Sequence, residues 1–240
     1  MDVGSAHFPT TRWTLVAAAG SHGPETRRAL SSLCEAYWYP LYAYARRRGY
    51  APEVAQDHTQ EFFTRFLEHD YFDRADRERG RFRSFLLVSF NYYLCDDAGR
   101  ERAQKRGGGA ALLPFEFSKG EEMYGLEPSH EETPERIYER RWAHTVVGRT
   151  LERLRDEFTA NGRFEYFNKV KSFLQGDPGM PYSELAPKLN TTESALRVSI
   201  HRLRKRYRDL LRAEIADIVA DPMEIDAELR YLIRALATKS

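Results

Sequence analysis

A chain of 240 residues with 42% apolar content can hold two small domains or one larger one, and a formal net charge of +1 gives no overall sign of a nucleic-acid partner. The only cysteines, Cys34 and Cys95, lack paired spacing and histidine neighbours, which excludes a disulfide scaffold and a metal module. No apolar run approaches the span of a bilayer and no basic flank precedes an apolar core at the N-terminus, so the expectation is a soluble cytoplasmic protein with no membrane contact and no cofactor.

No sustained two-residue alternation marks a strand, and the periodicity predicts an all-α fold. The first predicted element is a short helix over Thr10–Ala19, stopped by Gly20, with Trp13 and Val16 as buried contacts. A helix carrying Leu30, Leu33, Tyr37, Leu41 and Tyr44 follows, kinked at Pro40 and ended by Gly49. The next runs from about Pro52 to Glu68, with Phe62, Phe63, Phe66 and Leu67 on its core side. After a charged loop at Asp73–Arg81, a long helix extends from about Phe82 towards Gln104, with Phe82, Phe85, Ser89 and Tyr93 on one face. Gly107–Gly109 ends this first domain.

From Ala110 to Thr133 the composition turns to glycine, proline and acid, that of a segment unable to bury enough apolar surface to order itself alone. Charge segregates sharply at this point. Between Ala110 and Glu135 the only cation is Lys119 against seven glutamates, whereas Glu193–Arg212 is strongly cationic. A helix with Ala143, Val147, Leu151, Leu154 and Phe158 on one stripe then precedes another with Phe164, Phe167, Val170 and Leu174.

Tyr182–Arg208, YSELAPKLNTTESALRVSIHRLRKRYR, reads as a helix-turn-helix. Asn190 suits a left-handed turn position, Thr192 is a good N-cap, and Glu193 is well placed against the helix dipole. Leu196, Ile200, Leu203 and Tyr207 make one buried stripe. Cations on the other faces can neutralise phosphates, and an arginine near the helix N-terminus can read guanine edges in a major groove. Pro222 restarts a short amphipathic helix with Ile225, Leu229, Leu232 and Ile233 on its apolar side.

In order and spacing, these motifs resemble RNA polymerase sigma factors of the extracytoplasmic-function type, two-domain members of the sigma-70 family. AYWYPLYAYARRRGY, DHTQEFFTRFLE and RGRFRSFLLVSFNYYLCDDAGRERAQKRGGG are similar to the sigma-2 domain, and the helix-turn-helix resembles sigma-4. The implied organisation is an N-terminal extension (1–23), a sigma-2-like domain (24–109), a linker (110–133), a sigma-4-like domain (134–220) and a C-terminal extension (221–240). The opening FPTTRWTLV and closing DPMEIDAELRYLI look like the extensions of a sub-group.

The resemblance implies a non-enzymatic, monomeric protein that docks on the clamp helices and flap of core RNA polymerase and reads promoter DNA. Matching positions place Asp57, Gln60 and Glu61 on the clamp. Arg81, Arg83, Asn91 and Tyr92 fall at the melted −10 element, where cations and aromatics suit single-stranded DNA. Ser194, Arg197, Val198, His201, Arg202 and Lys205 fall at the duplex −35 element, each good bidentate contact adding on the order of 1–3 kcal/mol of discrimination.

Two departures from the family stand out. Pro187 lies inside the first helix of the helix-turn-helix, where it distorts or delays that helix. The acidic run ahead of Gln60-Glu61 is thinned to Val54-Ala55-Gln56-Asp57, and Thr59 follows on the surface expected to face the clamp. A phosphate on Thr59 would restore about two negative charges there, which predicts switching by a serine/threonine kinase, with an anti-sigma protein as the other regulator to test. The competing reading is a stand-alone helix-turn-helix transcriptional regulator, which needs neither the Gln60-Glu61 helix nor the aromatic-cationic one. An enzyme is disfavoured, since no glycine-rich phosphate loop, nucleophile elbow or histidine-carboxylate cluster is present.

Overall fold

The computed structural model describes residues 24–68, 82–100, 115–126, 132–174, 179–219 and 222–237. Among these, every regular element is helical: α1 (Pro24–Arg47), α2 (Pro52–Glu68), α3 (Phe82–Arg100), α4 (Phe117–Gly125), α5 (Pro134–Ala160), α6 (Phe164–Val170), α7 (Tyr182–Lys188), α8 (Glu193–Ala216) and α9 (Ile225–Ala237). The helix expected at Thr10–Ala19, the charged loop with Arg81, and the glycines at 107–109 lie outside the described residues. No helix among the described residues is long and apolar enough to cross a membrane.

Helix punctuation follows local chemistry. α1, α2 and α5 each open on proline, whose fixed φ suits the first turn and whose missing N–H is one the helix would leave unsatisfied there. Pro40 does not end α1, which continues to Arg47. The stop comes at Gly49, with φ +96°, where the Gly49 N–H donates to the Arg46 carbonyl at 3.0 Å and the Tyr50 N–H to that of Ala45 at 3.3 Å.

The described chain forms two compact units, one running up to His144 and resuming at Ala216, the other Thr145–Ile215. This division differs from the expected boundaries: the start of α5 and the C-terminal helix α9 belong with the first unit, not with a 134–220 domain and a separate extension. The first unit's core is built from Tyr37, Leu41 and Tyr42 of α1, Phe62, Phe63 and Phe66 of α2, and Leu86, Phe90 and Leu94 of α3. Phe62 meets Phe90 edge-on at 5.0 Å and Tyr37 meets Phe82 at 5.4 Å, arrangements in which ring edge faces ring face.

Two helices bury a different face from the one expected. In α3 the deepest stripe is Phe82, Leu86, Phe90 and Leu94, at steps of four, while Phe85, Ser89 and Tyr93 lie at its margin. In α9, Leu232 is buried but so is Glu228, and Ile233 is 61% exposed. The rotation of α9 is set by the ion pair Glu228 makes inside the first unit, described below.

The expected linker is also not structureless where it is described. Residues 117–125 form α4, held by Phe117, which is buried, and by Phe115, which stacks on Trp38 at 5.7 Å. Its backbone comes so close that a Cβ on Gly120 would stand 3.0 Å from the Trp38 ring, so only glycine fits without a shift.

In the second unit, Leu154, Phe167, Val170, Phe173, Leu185, Leu196, Ile200, Leu203 and Leu210 make one buried cluster. Phe164, expected inside, is partly exposed because α6 begins there and turns its Phe167–Val170 side inward.

Candidate nucleic-acid interface

α7, a turn and α8 form a helix-turn-helix arrangement. α7 is two turns long and holds Pro187 as its next-to-last residue; the proline removes one backbone hydrogen bond, but the helix still closes beyond it, the Leu189 N–H donating to the Leu185 carbonyl at 3.2 Å. Asn190 takes φ +50° in the turn, a left-handed conformation that asparagine tolerates. The Ala195 N–H donates to Thr192 Oγ1 at 3.2 Å, which is the N-cap bond expected from the sequence.

From that cap α8 divides cleanly. Leu196, Ile200 and Leu203 are buried and Tyr207 half-buried, whereas Ser194, Arg197, Val198, His201, Arg202 and Lys205 are all exposed. At 100° per residue those six, with Arg208, share one face opposite the buried stripe. Val198 is 49% exposed, an apolar contact standing among cations.

The cations of α8 are not equivalent. Arg204 donates from Nε and Nη2 to the Phe173 carbonyl at 3.1 and 3.0 Å, and Arg206 pairs with Glu157, donating from Nε at 2.8 Å. The Arg206 pair holds the Glu157 carboxyl below its ordinary range, the Arg206 hydrogen bond outweighing the cost of burial. Both arginines thus brace the second unit. Arg197 is partly engaged, bonding Glu193 from Nε at 3.2 Å and lying 4.6 Å over the Tyr182 ring. Arg202, Lys205 and Arg208 project with no ion pair among the described residues, free to meet phosphates.

In the first unit, the structure separates the residues assigned to the polymerase clamp. Asp57 is exposed, and Gln60 half-exposed beside it. Glu61 is pinned instead: it accepts a bond from Arg65 and another from the Tyr93 hydroxyl at 2.9 Å.

Thr59 is a correction. It is 0% exposed, and its Oγ1 donates to the Ala55 carbonyl at 2.7 Å. Two residues on from Asp57 along a helix is a rotation of 200°, which turns Thr59 inward with Ala55, Phe62 and Phe66. It is therefore not on the outward surface where a phosphate was expected.

Arg83 is a second correction. It is buried, with Nε donating to Glu228 Oε1 at 2.5 Å, its guanidinium 3.6 Å over the Tyr231 ring, and Glu139 at 3.8 Å. Burial opposes its charge, but the Glu228 hydrogen bond and carboxylate together hold its pKa above the usual value. It is spent inside the first unit rather than offered to DNA. Asn91 is half-buried and accepts from Arg48, while Tyr92 is 73% exposed, so on α3 Tyr92 is the ring open to a base. Arg81 lies outside the described residues.

Sequence reasoning missed the network around Glu121 of α4. Arg46 grips its carboxylate with a fork, Nε at 3.0 Å and Nη2 at 2.9 Å, while the Tyr42 hydroxyl donates to the same group. Burial pushes the Glu121 carboxyl up, but the Arg46 and Tyr42 bonds outweigh it and hold it below its ordinary value. The signal in the sequence is the pairing of Phe115, Phe117 and Gly120 within a stretch whose average composition is that of a loop.

Among known proteins, the chain matches no family model, no curated protein and no solved structure.

Proposed function

We propose that this protein is an RNA polymerase sigma factor of the extracytoplasmic-function type, reading the −35 element with α8 and the −10 element with α3. The observation that carries the reading is the exposed face of α8, on which Arg197, Val198, Arg202 and Lys205 stand opposite a buried apolar stripe behind an N-capped turn. Supporting it, Asp57 and Gln60 offer a polar, partly acidic face on α2, and Tyr92 stands exposed on α3.

In this reading core polymerase supplies all the chemistry, and the protein supplies position. α8 enters the major groove with Ser194, Arg197 and Val198 nearest the bases and Lys205 nearer the backbone, where each neutralised phosphate releases counterions. Tyr92 stacks on an unpaired base. Asp57 and Gln60 meet the clamp helices. The kinase-switch reading is not carried forward, because Thr59 faces the interior.

The test is a pull-down of bacterial core RNA polymerase by the purified protein at moderate salt, followed by run-off transcription with the reconstituted holoenzyme. Binding with promoter-dependent transcription is the expected result. Duplex binding without polymerase binding would overturn it in favour of a stand-alone helix-turn-helix regulator.

A further inference from the structure

Helix α4 sits in a stretch of chain that joins the first unit's core helices to α5, and it is fastened to α1 by side-chain contacts. Its fastening has three parts. Phe117 meets Trp38 at 5.3 Å and Tyr42 at 5.7 Å. Gly120 brings the backbone against Trp38. Glu121 is gripped by Arg46 and Tyr42, and the same Arg46 guanidinium lies 4.9 Å over the Tyr124 ring.

Between α4 and α2 lies a cleft of about 490 Å³, lined by Pro52, Glu53 and Gln56 on one side and Phe117, Lys119 and Glu121 on the other. Glu53 and Gln56 stand four residues before Asp57 and Gln60 respectively, on the same side of α2, so α4 lies beside the N-terminal end of that polar face. A macromolecule that lies along that face and reaches its Glu53 end meets α4 across the cleft.

We propose that α4 is an autoinhibitory strap, which holds the linker against the first unit in the free protein and is displaced when a partner docks on the Asp57–Gln60 face. This rests on the sigma-factor reading, in which that partner is core polymerase. The Arg46–Glu121 fork is suited to a releasable contact: both side chains are partly open to solvent, so each regains hydration on release. A docked strap lowers the apparent affinity for the partner by the fraction of molecules in which it is released.

The experiment titrates bacterial core RNA polymerase against the full-length protein carrying Gly120→Ala, Glu121→Arg, Arg46→Glu or the charge swap Arg46→Glu with Glu121→Arg. Hydrogen exchange of the 117–125 amides is followed in the same free proteins. Alanine favours helix, so any faster exchange in Gly120→Ala comes from the Trp38 ring, 3.0 Å from the added Cβ, having to give way and not from unwinding of α4. The single variants are expected to exchange faster over 117–125 and to bind core about tenfold more tightly, with the charge swap returning both towards wild type.

Faster exchange with unchanged or weaker polymerase binding overturns the strap and leaves the sigma reading standing. Unchanged exchange in all variants also overturns it, since the fastening would then lie elsewhere. If neither wild type nor any variant binds core polymerase, the sigma reading itself fails and the strap falls with it.

Discussion

Arg83 of α3 and Glu228 of the C-terminal helix α9 lie 145 residues apart and meet as a buried ion pair, Nε to Oε1 at 2.5 Å, with side chains 5% and 3% exposed. Around them the Tyr138 hydroxyl donates to the Arg83 carbonyl at 2.9 Å, and Trp142 and Tyr231 approach at 6.3 Å. The C-terminal segment is thus part of the first unit's interior. Removing one partner strands the other charge out of water, so Glu228→Ala and Arg83→Ala are each expected to cost about 3–5 kcal/mol, while replacing both with apolar residues costs far less. Urea denaturation of the three variants checks this; a double variant that loses the sum of the two single losses would show that no coupling exists.

Thr59 yields a prediction from its burial alone. Thr59→Val keeps the shape and loses one hydrogen bond to the Ala55 carbonyl, an expected cost of about 1 kcal/mol. Thr59→Glu forces a carboxylate into the space beside Phe62 and Phe63 and is expected to cost several kcal/mol or to open α2. Thermal denaturation distinguishes the two, and a fully stable Thr59→Glu protein would show that the side chain reaches solvent readily.

The Arg46–Glu121 contact sets a pH dependence. A carboxyl whose folded pKa is below its unfolded value of 4.5 contributes stability that is fully present above that value and is lost as pH falls through the folded pKa. Docking of α4 is therefore expected to be constant through neutral pH and to weaken only in acid. The Trp38 indole N–H resonance reports it, since Trp38 touches Gly120 and Phe117: it should shift with acid titration in wild type and lose that step in Glu121→Gln.

The two thiols should behave differently. Burial, reinforced by the Glu35 charge, pushes the Cys34 thiol up to about 12, and Cys95 is exposed. One equivalent of thiol is expected to react quickly with a disulfide reagent in the native protein and the second only on unfolding. Two fast equivalents would mean that α1 opens around Cys34.

Much of the fold was legible because it depends on local chemistry. The Gly49 stop, the Asn190 turn, the Thr192 cap and the Leu196–Ile200–Leu203 stripe each involve residues within a few positions of one another, and each lies where the sequence put it. The failures have physical causes of other kinds. Arg83 and Glu228 are polar residues buried by pairing across the whole chain, which periodicity reads as surface. Matching Thr59 to the family's clamp-facing surface puts it outward, although a 200° step from Asp57 sends it inward. Average composition reads the α4 stretch as unable to order itself, whereas three residues, Phe115, Phe117 and Gly120, decide its docking.

The α8 face offers a test in which structural and DNA-contacting arginines are told apart on one helix. Arg202→Ala and Lys205→Ala remove exposed cations and are expected to leave stability within about 0.5 kcal/mol of wild type. If each contacts a phosphate, each should lower duplex affinity and reduce the slope of log affinity against log salt by about 0.9. Arg206→Ala breaks the pair with Glu157, costs at most about 1 kcal/mol, and is expected to leave the salt slope unchanged. Ile200→Ala empties a buried site, costs about 2–5 kcal/mol, and should weaken binding only in proportion to the protein it unfolds. Fluorescence anisotropy across a salt series, paired with denaturation of the same four proteins, separates these cases. A slope that falls for Arg206→Ala but not for Arg202→Ala would turn α8 about its axis relative to the face assigned to DNA.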